Sequence, residues 1–153
     1  MEDKPLVAPP IPNRQQPTIP EDLNDPRTLA MAVTEAAWTK NAYQTRILDV
    51  QGLVDYADVF VVLSGRSERH VNSIAEAIQT TMKARGALPA GVEGRRAGTW
   101  VLLDFGNVVV HVFERSNRDY YNIDGLWADA KEIPVEEPAW VQDFARMEAE
   151  NYY

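Results

Sequence analysis

The sequence predicts an α/β fold, in which helices pack against a β-sheet. Three observations support this class. Runs rich in β-branched residues, typical of strands, occur at residues 46–50 and 59–63. Before and after these runs, apolar residues recur every three or four positions, as they do along the buried side of a helix. A loop at Gly106-Asn107 then joins two further apolar runs and predicts a β-hairpin.

Two helices are predicted from capping residues that precede an apolar stripe. The first begins at Asp25-Pro26, because the carboxylate can accept hydrogen bonds from unpaired amides and proline presets the backbone dihedral. Its stripe of apolar residues extends it to about Tyr43. The second helix begins after Ser67 and ends at Gly86.

The hairpin predicts the composition of both faces of the sheet. If the loop forms, Phe105 pairs with Val108, and the pairing continues outward to Trp100 with Phe113. Side chains alternate along each strand. One face is therefore entirely apolar, and we expect it to pack under helices: Val101, Leu103, Phe105, Val108, Val110 and Val112. The other face is mixed: Trp100, Leu102, Asp104, Val109, His111 and Phe113.

The mixed face is the main candidate for a recognition surface. Aromatic side chains supply contact area and a few polar groups orient the partner, so an indole beside a carboxylate and an imidazole is typical of such a surface. The alternative is that the first helix covers this face, with Asp104 and His111 paired to each other. The residues alone leave both alternatives open.

The proline and charge distributions divide the chain into three parts. Residues 1–25 form a proline-rich tail that we expect to be disordered, residues 26–131 form the domain, and residues 132–153 form an acidic C-terminal extension with a short helix. The apolar residues Trp140, Phe144 and Met147 either pack that helix back on the core or place it over the mixed face.

The net charge of −8 lies at the two ends of the chain. The middle segment, residues 27–131, has twelve acidic and twelve basic residues, so it lacks the basic excess of nucleic-acid-binding domains. A local basic patch is conceivable, although solvated arginines are the simpler explanation for Arg66, Arg69, Arg95, Arg96, Arg115 and Arg118. We therefore expect a basic protein partner and no sequence-specific contact to nucleic acid.

The sequence contains no recognisable catalytic, metal-binding or targeting motif. It has no cysteine, and its two histidines, His70 and His111, lie on different predicted elements, so we expect neither a metal site nor a cofactor. Ser64-Gly65 can accept a phosphate before the second helix, but capping by Ser67 accounts for the same pattern. No signal peptide or membrane-length apolar run is present, and we expect a cytoplasmic protein without a membrane partner.

Four segments carry a family resemblance when they are taken in order. They are LDVQGLVDYADVFVVLSGRSERHVNSIA, GVEG, GTWVLLDFGNVVVHVF and RDYYNIDGLW, all between residues 27 and 131. Together they resemble the ribosomal silencing factor family, also called Iojap-like proteins. The resemblance implies a mixed β-sheet packed with helices and a nucleotidyltransferase-like topology without the catalytic residues, because no Asp-x-Asp follows Ser64-Gly65.

The resemblance implies a translational repressor without enzymatic activity. Such proteins bind ribosomal protein number fourteen on the large ribosomal subunit and sterically block joining of the small subunit, which damps translation under nutrient limitation. The docking residues implied here are Trp100 as an apolar anchor, Asp104 as partner of a basic group, and His111. Further candidates are Glu93, Tyr120, Tyr121 and Trp127; for the three aromatic residues a core role is an equal alternative.

Three alternatives about function remain open at this stage. The chain can be a residual nucleotidyltransferase or nucleotide-binding protein, or a helper in assembly of the large subunit. A homodimer formed through the mixed face is also possible on the sequence alone.

Overall fold

A six-stranded mixed β-sheet forms the centre of the protein in the computed structural model, which describes residues 16–152. The strands are β1 (Tyr43–Asp49), β2 (Val59–Gly65), β3 (Gly91–Glu93), β4 (Trp100–Asp104), β5 (Val108–Glu114) and β6 (Lys131–Ile133). The helices are α1 (Pro26–Trp38), α2 (Glu68–Ala84), α3 (Arg115–Tyr120), α4 (Ile123–Leu126) and α5 (Ala139–Tyr152). The strand order is β3-β4-β5-β2-β1-β6, and β2 and β5 are parallel while all other neighbours are antiparallel. The predicted mixed α/β fold is confirmed.

The β4–β5 hairpin has the predicted register. Trp100 pairs with Phe113 and Asp104 with Val109, and the Phe105 amide donates to the Val108 carbonyl at 2.9 Å. The apolar face of the hairpin is continuous with buried residues of β1, β2, α1 and α2 in one core cluster. We call this the helix-covered face and the opposite side the second face.

The predicted helix starts are confirmed, but α1 is shorter than predicted. A carboxylate oxygen of Asp25 accepts the amide proton of Thr28 at 3.0 Å, and the Ser67 hydroxyl accepts that of His70 at 3.1 Å. Helix α1 ends at Trp38 rather than near Tyr43. The chain reverses at Asn41, which has a φ of 60°, and Tyr43 already belongs to β1.

Part of the predicted N-terminal tail is packed on the domain. Residues 1–15 lie outside the described residues, so the predicted disorder can be compared with the structure only for residues 16–25. Thr18 pairs with Leu88 through two backbone hydrogen bonds, and Leu23 is fully buried beside α1. Proline density indicates an extended backbone but does not reveal whether an apolar side chain between prolines finds a place in the core.

The C-terminal extension packs on the helix-covered side of the sheet. Strand β6 pairs with β1, and α5 buries Val141 against Trp38 and Tyr43. Two positions were predicted for this helix, on the core or over the mixed face, and in the structure it packs on the core. The predicted stripe is partly wrong, since Trp140 and Met147 are 57% and 56% exposed while Val141 takes the buried position. No helix within residues 16–152 is both long and apolar enough to cross a membrane.

Candidate docking surface

The second face of the sheet is largely covered by the chain segment that follows β5. This segment and the sheet form a second core cluster. It joins Tyr121, Ile123, Trp127 and Ala130 of the segment to Leu102, Val109 and Phe113 of β4 and β5. The mixed face is therefore neither open, as the docking hypothesis assumes, nor covered by the first helix. Helix α1 packs on the opposite side with α2, and α4 together with the residues flanking it buries apolar side chains here instead.

An ion-pair network attaches this covering segment to the sheet. The guanidinium of buried Arg118 donates to the Gln44 carbonyl at 2.6 Å, the Ser64 hydroxyl at 2.8 Å and the Asp124 carboxylate at 2.8 Å. Arg46 donates to the same carboxylate at 2.9 Å. Burial raises the pKa of Asp124, but the hydrogen bonds and charges of the two arginines outweigh this and the pKa is lowered. Asp124 is thus ionised at neutral pH and keeps the segment in place.

His111 fixes the indole of Trp100 rather than presenting itself to a partner. Its exposed fraction is 1%, and its Nδ1 accepts a hydrogen bond from Trp100 Nε1 at 3.1 Å. Burial lowers the pKa of His111 to about 3, so the ring is neutral at physiological pH. Since Nδ1 is the acceptor, Nε2 carries the proton, and this atom is buried without a hydrogen-bond partner within the described chain.

Replacing His111 with glutamine should reduce the pH dependence of stability between pH 7 and 5.5. The unfolded chain binds a proton near pH 6.5 that the folded chain binds only near pH 3, so stability is lost as pH falls. We expect this histidine to contribute about 1 kcal/mol to the loss over that interval. Glutamine retains an acceptor for Trp100 and does not titrate. Urea denaturation at both pH values checks this, and equal losses in both proteins would contradict it.

Asp104 lies at the other end of β4 from Trp100. Asp104 is four positions further along the strand, about 13 Å away. Asp104 is 2% exposed, and its Oδ1 accepts the amide proton of Gly106 at 2.8 Å, which stabilises the hairpin loop. The alternative pair with His111 does not form, because His111 uses its acceptor nitrogen for Trp100 and its other nitrogen has no partner. The structure therefore does not bring Asp104 and the indole together.

The remaining candidate residues surround Trp100 on the second face. Half-buried Trp100, Tyr121 and Trp127 pack on the same apolar cluster, and Tyr120, which is 70% exposed, lies with its ring 4.9 Å from that of Tyr121. Half-buried Glu93 on the edge strand β3 pairs with Leu102, next to Trp100 on this face. Tyr121 and Trp127 therefore pack in the core and also keep part of their surface accessible, and a docking role for them stays a prediction.

Two aromatic residues of this surface, Phe60 and Tyr56, were not predicted from the sequence. Phe60 is fully buried, and its ring lies 4.9 Å from that of Trp127 and 4.6 Å from that of His111. Tyr56, about half exposed, lies 6.1 Å from Phe60. The available signal was the alternation within β2, which places Phe60 and Val62 on one face. We call the accessible residues Tyr56, Trp100, Tyr120, Tyr121 and Trp127 the aromatic face.

The described residues offer little support for nucleotide or metal chemistry. Between residues 16 and 152, no three histidine or carboxylate side chains are grouped closely enough to hold a metal ion. Ser64 is buried in β2, where its hydroxyl bonds to Gln44 and Arg118 instead of facing an open phosphate site. Ser67 is occupied as the cap of α2.

Most of the chain is similar to known proteins. The family model described as "Ribosomal silencing factor during starvation" matches residues 23–152, which extends beyond the range 27–131 that carries the resemblance. A protein named ribosomal silencing factor RsfS from Halalkalibacterium halodurans is 36% identical over 114 residues, 74% of this chain and 97% of the relative. One of the same name from Zymomonas mobilis is 31% identical and covers 85% of this chain and 96% of the relative. A crystal structure of a Chromobacterium violaceum protein has a TM-score of 0.65 at 31% identity, covering 75% of this chain and 97% of that one.

Proposed function

Because the chain belongs to the ribosomal silencing factor family, we propose that it represses translation by binding the large ribosomal subunit and sterically preventing the small subunit from joining. The family membership confirms the resemblance and supports a regulatory role at the ribosome. The proposal adds that ribosomal protein number fourteen is the contact, that the aromatic face makes it, and that the protein acts in the cytoplasm.

The packing of the half-buried Trp100 and Trp127 on buried rings is the observation that carries the docking proposal. Trp100 is only half-buried, yet its ring packs 4.7 Å from that of Phe113 and its N–H is bonded to His111. Trp127 is similarly supported from beneath by Phe60. Aromatic side chains that are already ordered lose little conformational entropy on binding, which is characteristic of residues that dominate interface energies.

The buried candidates, His111 and Asp104, do not contact the partner in this proposal but position the residues that do. His111 orients the indole, and Asp104 stabilises the hairpin that carries it. Acidic groups for a basic ribosomal protein come from more accessible positions such as Glu93 at the edge of the sheet, and the net charge of −8 favours approach to a cationic partner.

Sedimentation of ribosomal subunits tests the proposed function. Purified large subunits are incubated with the protein, small subunits are added at a magnesium concentration that supports joining, and the mixture is separated on a sucrose gradient. We expect the protein to sediment with large subunits and the joined-ribosome peak to shrink as its concentration rises. A protein that stays at the top of the gradient and leaves the joined peak unchanged would refute the proposal.

Replacing Tyr120 with alanine should weaken binding to large subunits without unfolding the protein. The side chain is 70% exposed on α3, so we expect a stability change within about 0.5 kcal/mol. Loss of its contact area at the interface should weaken binding about tenfold, or about 1.4 kcal/mol. Met147→Ala on α5 is the matched control, since it also removes an exposed apolar side chain but on the opposite side of the sheet. Equal binding by both variants would exclude Tyr120 from the interface.

A further inference from the structure

A polar cavity of about 430 Å³ lies beside the first two turns of α2, outside the aromatic face. Three arginines contribute to its walls, from two separate parts of the chain. Its lining residues are Arg66, Ser67, Arg69, His70, Asn72, Ser73, Glu76 and Arg95. We call it the arginine pocket. The tertiary structure thus brings together three of the arginines that the sequence allowed to form a local patch.

The positive charge of the arginine pocket is only partly neutralised. Within the described residues, Arg66 and Arg69 form no ion pair. Arg95 is anchored by neutral acceptors, with Nε 2.9 Å from Asn72 Oδ1 and Nη1 3.1 Å from Gln79 Oε1. The single carboxylate in the lining is Glu76. The lining therefore has three arginines and one carboxylate, in a protein whose net charge is strongly negative. The Arg66 guanidinium also lies 5.5 Å from the Phe144 ring of α5, and Glu148 of the same helix acts electrostatically on His70.

The pocket is held in shape by His70, which is itself fully bonded. Its Nδ1 accepts the backbone amide proton of Arg66 at 2.9 Å, and its Nε2 donates to the Lys40 carbonyl at 2.6 Å. Burial, reinforced by the charge of Arg66, lowers the pKa of this histidine and outweighs the opposing effects of Lys40 and Glu148. His70 thus orders the pocket rim as a neutral ring, and the arginines remain the groups available to an anion.

The pocket adjoins the aromatic face through the loop between β3 and β4. At one end of this loop the Gly94 backbone is packed against the Trp100 carbonyl, and at the other Gly98 is packed against Glu68 and Asn72 of α2. Arg95 lies between these two contacts. The pocket lies on the helix-covered side of the sheet, so a partner on Trp100 reaches it by passing around the β3 edge along this loop.

The side chains that line the arginine pocket determine which class of ligand it can bind. The lining side chains are polar or charged, so the groups that they offer a ligand are positive charges and hydrogen-bond donors. A phosphodiester needs only the cationic groups, and the Glu76 carboxylate can accept a hydrogen bond from a ribose 2′-hydroxyl. Resting on the proposed function, we infer that the arginine pocket binds a backbone phosphate of ribosomal RNA next to the protein docking site, without reading its sequence.

The salt dependence of large-subunit binding tests this inference. Arg66→Gln combined with Arg69→Gln removes two exposed charges that make no ion pair within the described residues. Because Arg66 also lies over the Phe144 ring at 5.5 Å, the variant is first checked for unchanged cooperative unfolding. We expect about tenfold weaker binding at low salt. Because the pocket neutralises one phosphate, the plot of log affinity against log salt concentration should be shallower by about 0.7–0.9. The control is Lys83→Gln with Arg85→Gln, which removes the same charge at the other end of α2, about 24 Å away, and should leave the slope unchanged.

The possible outcomes separate the inference from the proposed function. If the wild-type protein does not bind large subunits, the proposed function fails and this inference fails with it. If the wild type binds but the pocket variant has its affinity and salt slope, only the inference is overturned. Calorimetry with ATP and magnesium is the second measurement: heat that is present for the wild type and absent for the pocket variant would assign the pocket to a free nucleotide and overturn the inference.

Discussion

Gly94→Ala is expected to destabilise the protein by about 4 kcal/mol, the largest effect of any single methyl group that we predict. Gly94 has a φ of 90°, a conformation that costs an L-amino acid roughly 1–2 kcal/mol. A Cβ atom at this position would lie 2.1 Å from the Trp100 carbonyl oxygen, so strands β3 and β4 must separate. Overpacking of this kind adds about 1–3 kcal/mol.

Gly52→Ala is the matched control for this prediction. Gly52 has a similar φ of 86°, but no atom lies within 4 Å of the position its Cβ would take. We therefore expect only the backbone strain, about 1 kcal/mol. Urea denaturation of both variants measures the difference, and equal destabilisation would show that the close contact with Trp100 is relieved without cost. The Gly94 variant should also bind large subunits poorly, because the clash displaces the backbone that carries the indole.

Trp100→Ala is expected to weaken binding to large subunits by about 2 kcal/mol or more, roughly 30-fold. The indole is the half-buried aromatic that is most firmly held, by Phe113 beneath it and by His111 at its N–H. Truncating such an anchor removes its contact area and leaves its partners unpaired, and this is the usual magnitude at an interface hot spot. Co-sedimentation over a range of protein concentrations measures the change.

Two further variants show whether the loss comes from the interface. Trp140→Ala removes a more exposed indole, on α5 at the other side of the sheet, and it should bind like the wild type. Trp100→Phe keeps a ring against Phe113 but loses the hydrogen bond to His111, so we expect an intermediate affinity. Because alanine at position 100 also leaves the His111 acceptor unpaired, each variant is first checked for cooperative unfolding. Unchanged binding by folded Trp100→Ala would exclude the indole from the docking site.

The hydrogen bonds of Arg118 hold part of the aromatic face in position. Residues 121–130 cover the second face and carry two members of the aromatic face, and Arg118 ties this segment to the end of β2 through Ser64 and to the start of β1 through the Gln44 carbonyl. The aromatic face is therefore a composite of Trp100 on β4, Tyr56 in the loop between β1 and β2, Tyr120 at the end of α3, and the covering segment. Its geometry depends on buried charge pairing as well as on apolar packing.

Local patterns were sufficient for the elements whose structure is determined by neighbouring residues. The caps Asp25 and Ser67 satisfy amides three residues away, and the hairpin register follows from a two-residue loop and strict alternation. The family resemblance could likewise be recognised from ordered segments of the chain. Each of these predictions depends on contacts that are short in sequence or on the order of motifs, and both are visible without coordinates.

The sequence by itself determined the α/β class, the hairpin, and the choice of Trp100 as the candidate anchor. Only the tertiary structure decided what covers each face: residues 121–130 over His111, α5 on the helix-covered side, and the arginine pocket formed by α2 and the β3–β4 loop. The physical reason is that burial and charge pairing depend on segments far apart in the chain. An imidazole on a strand has the same sequence signature whether it contacts a partner or orients a neighbouring indole.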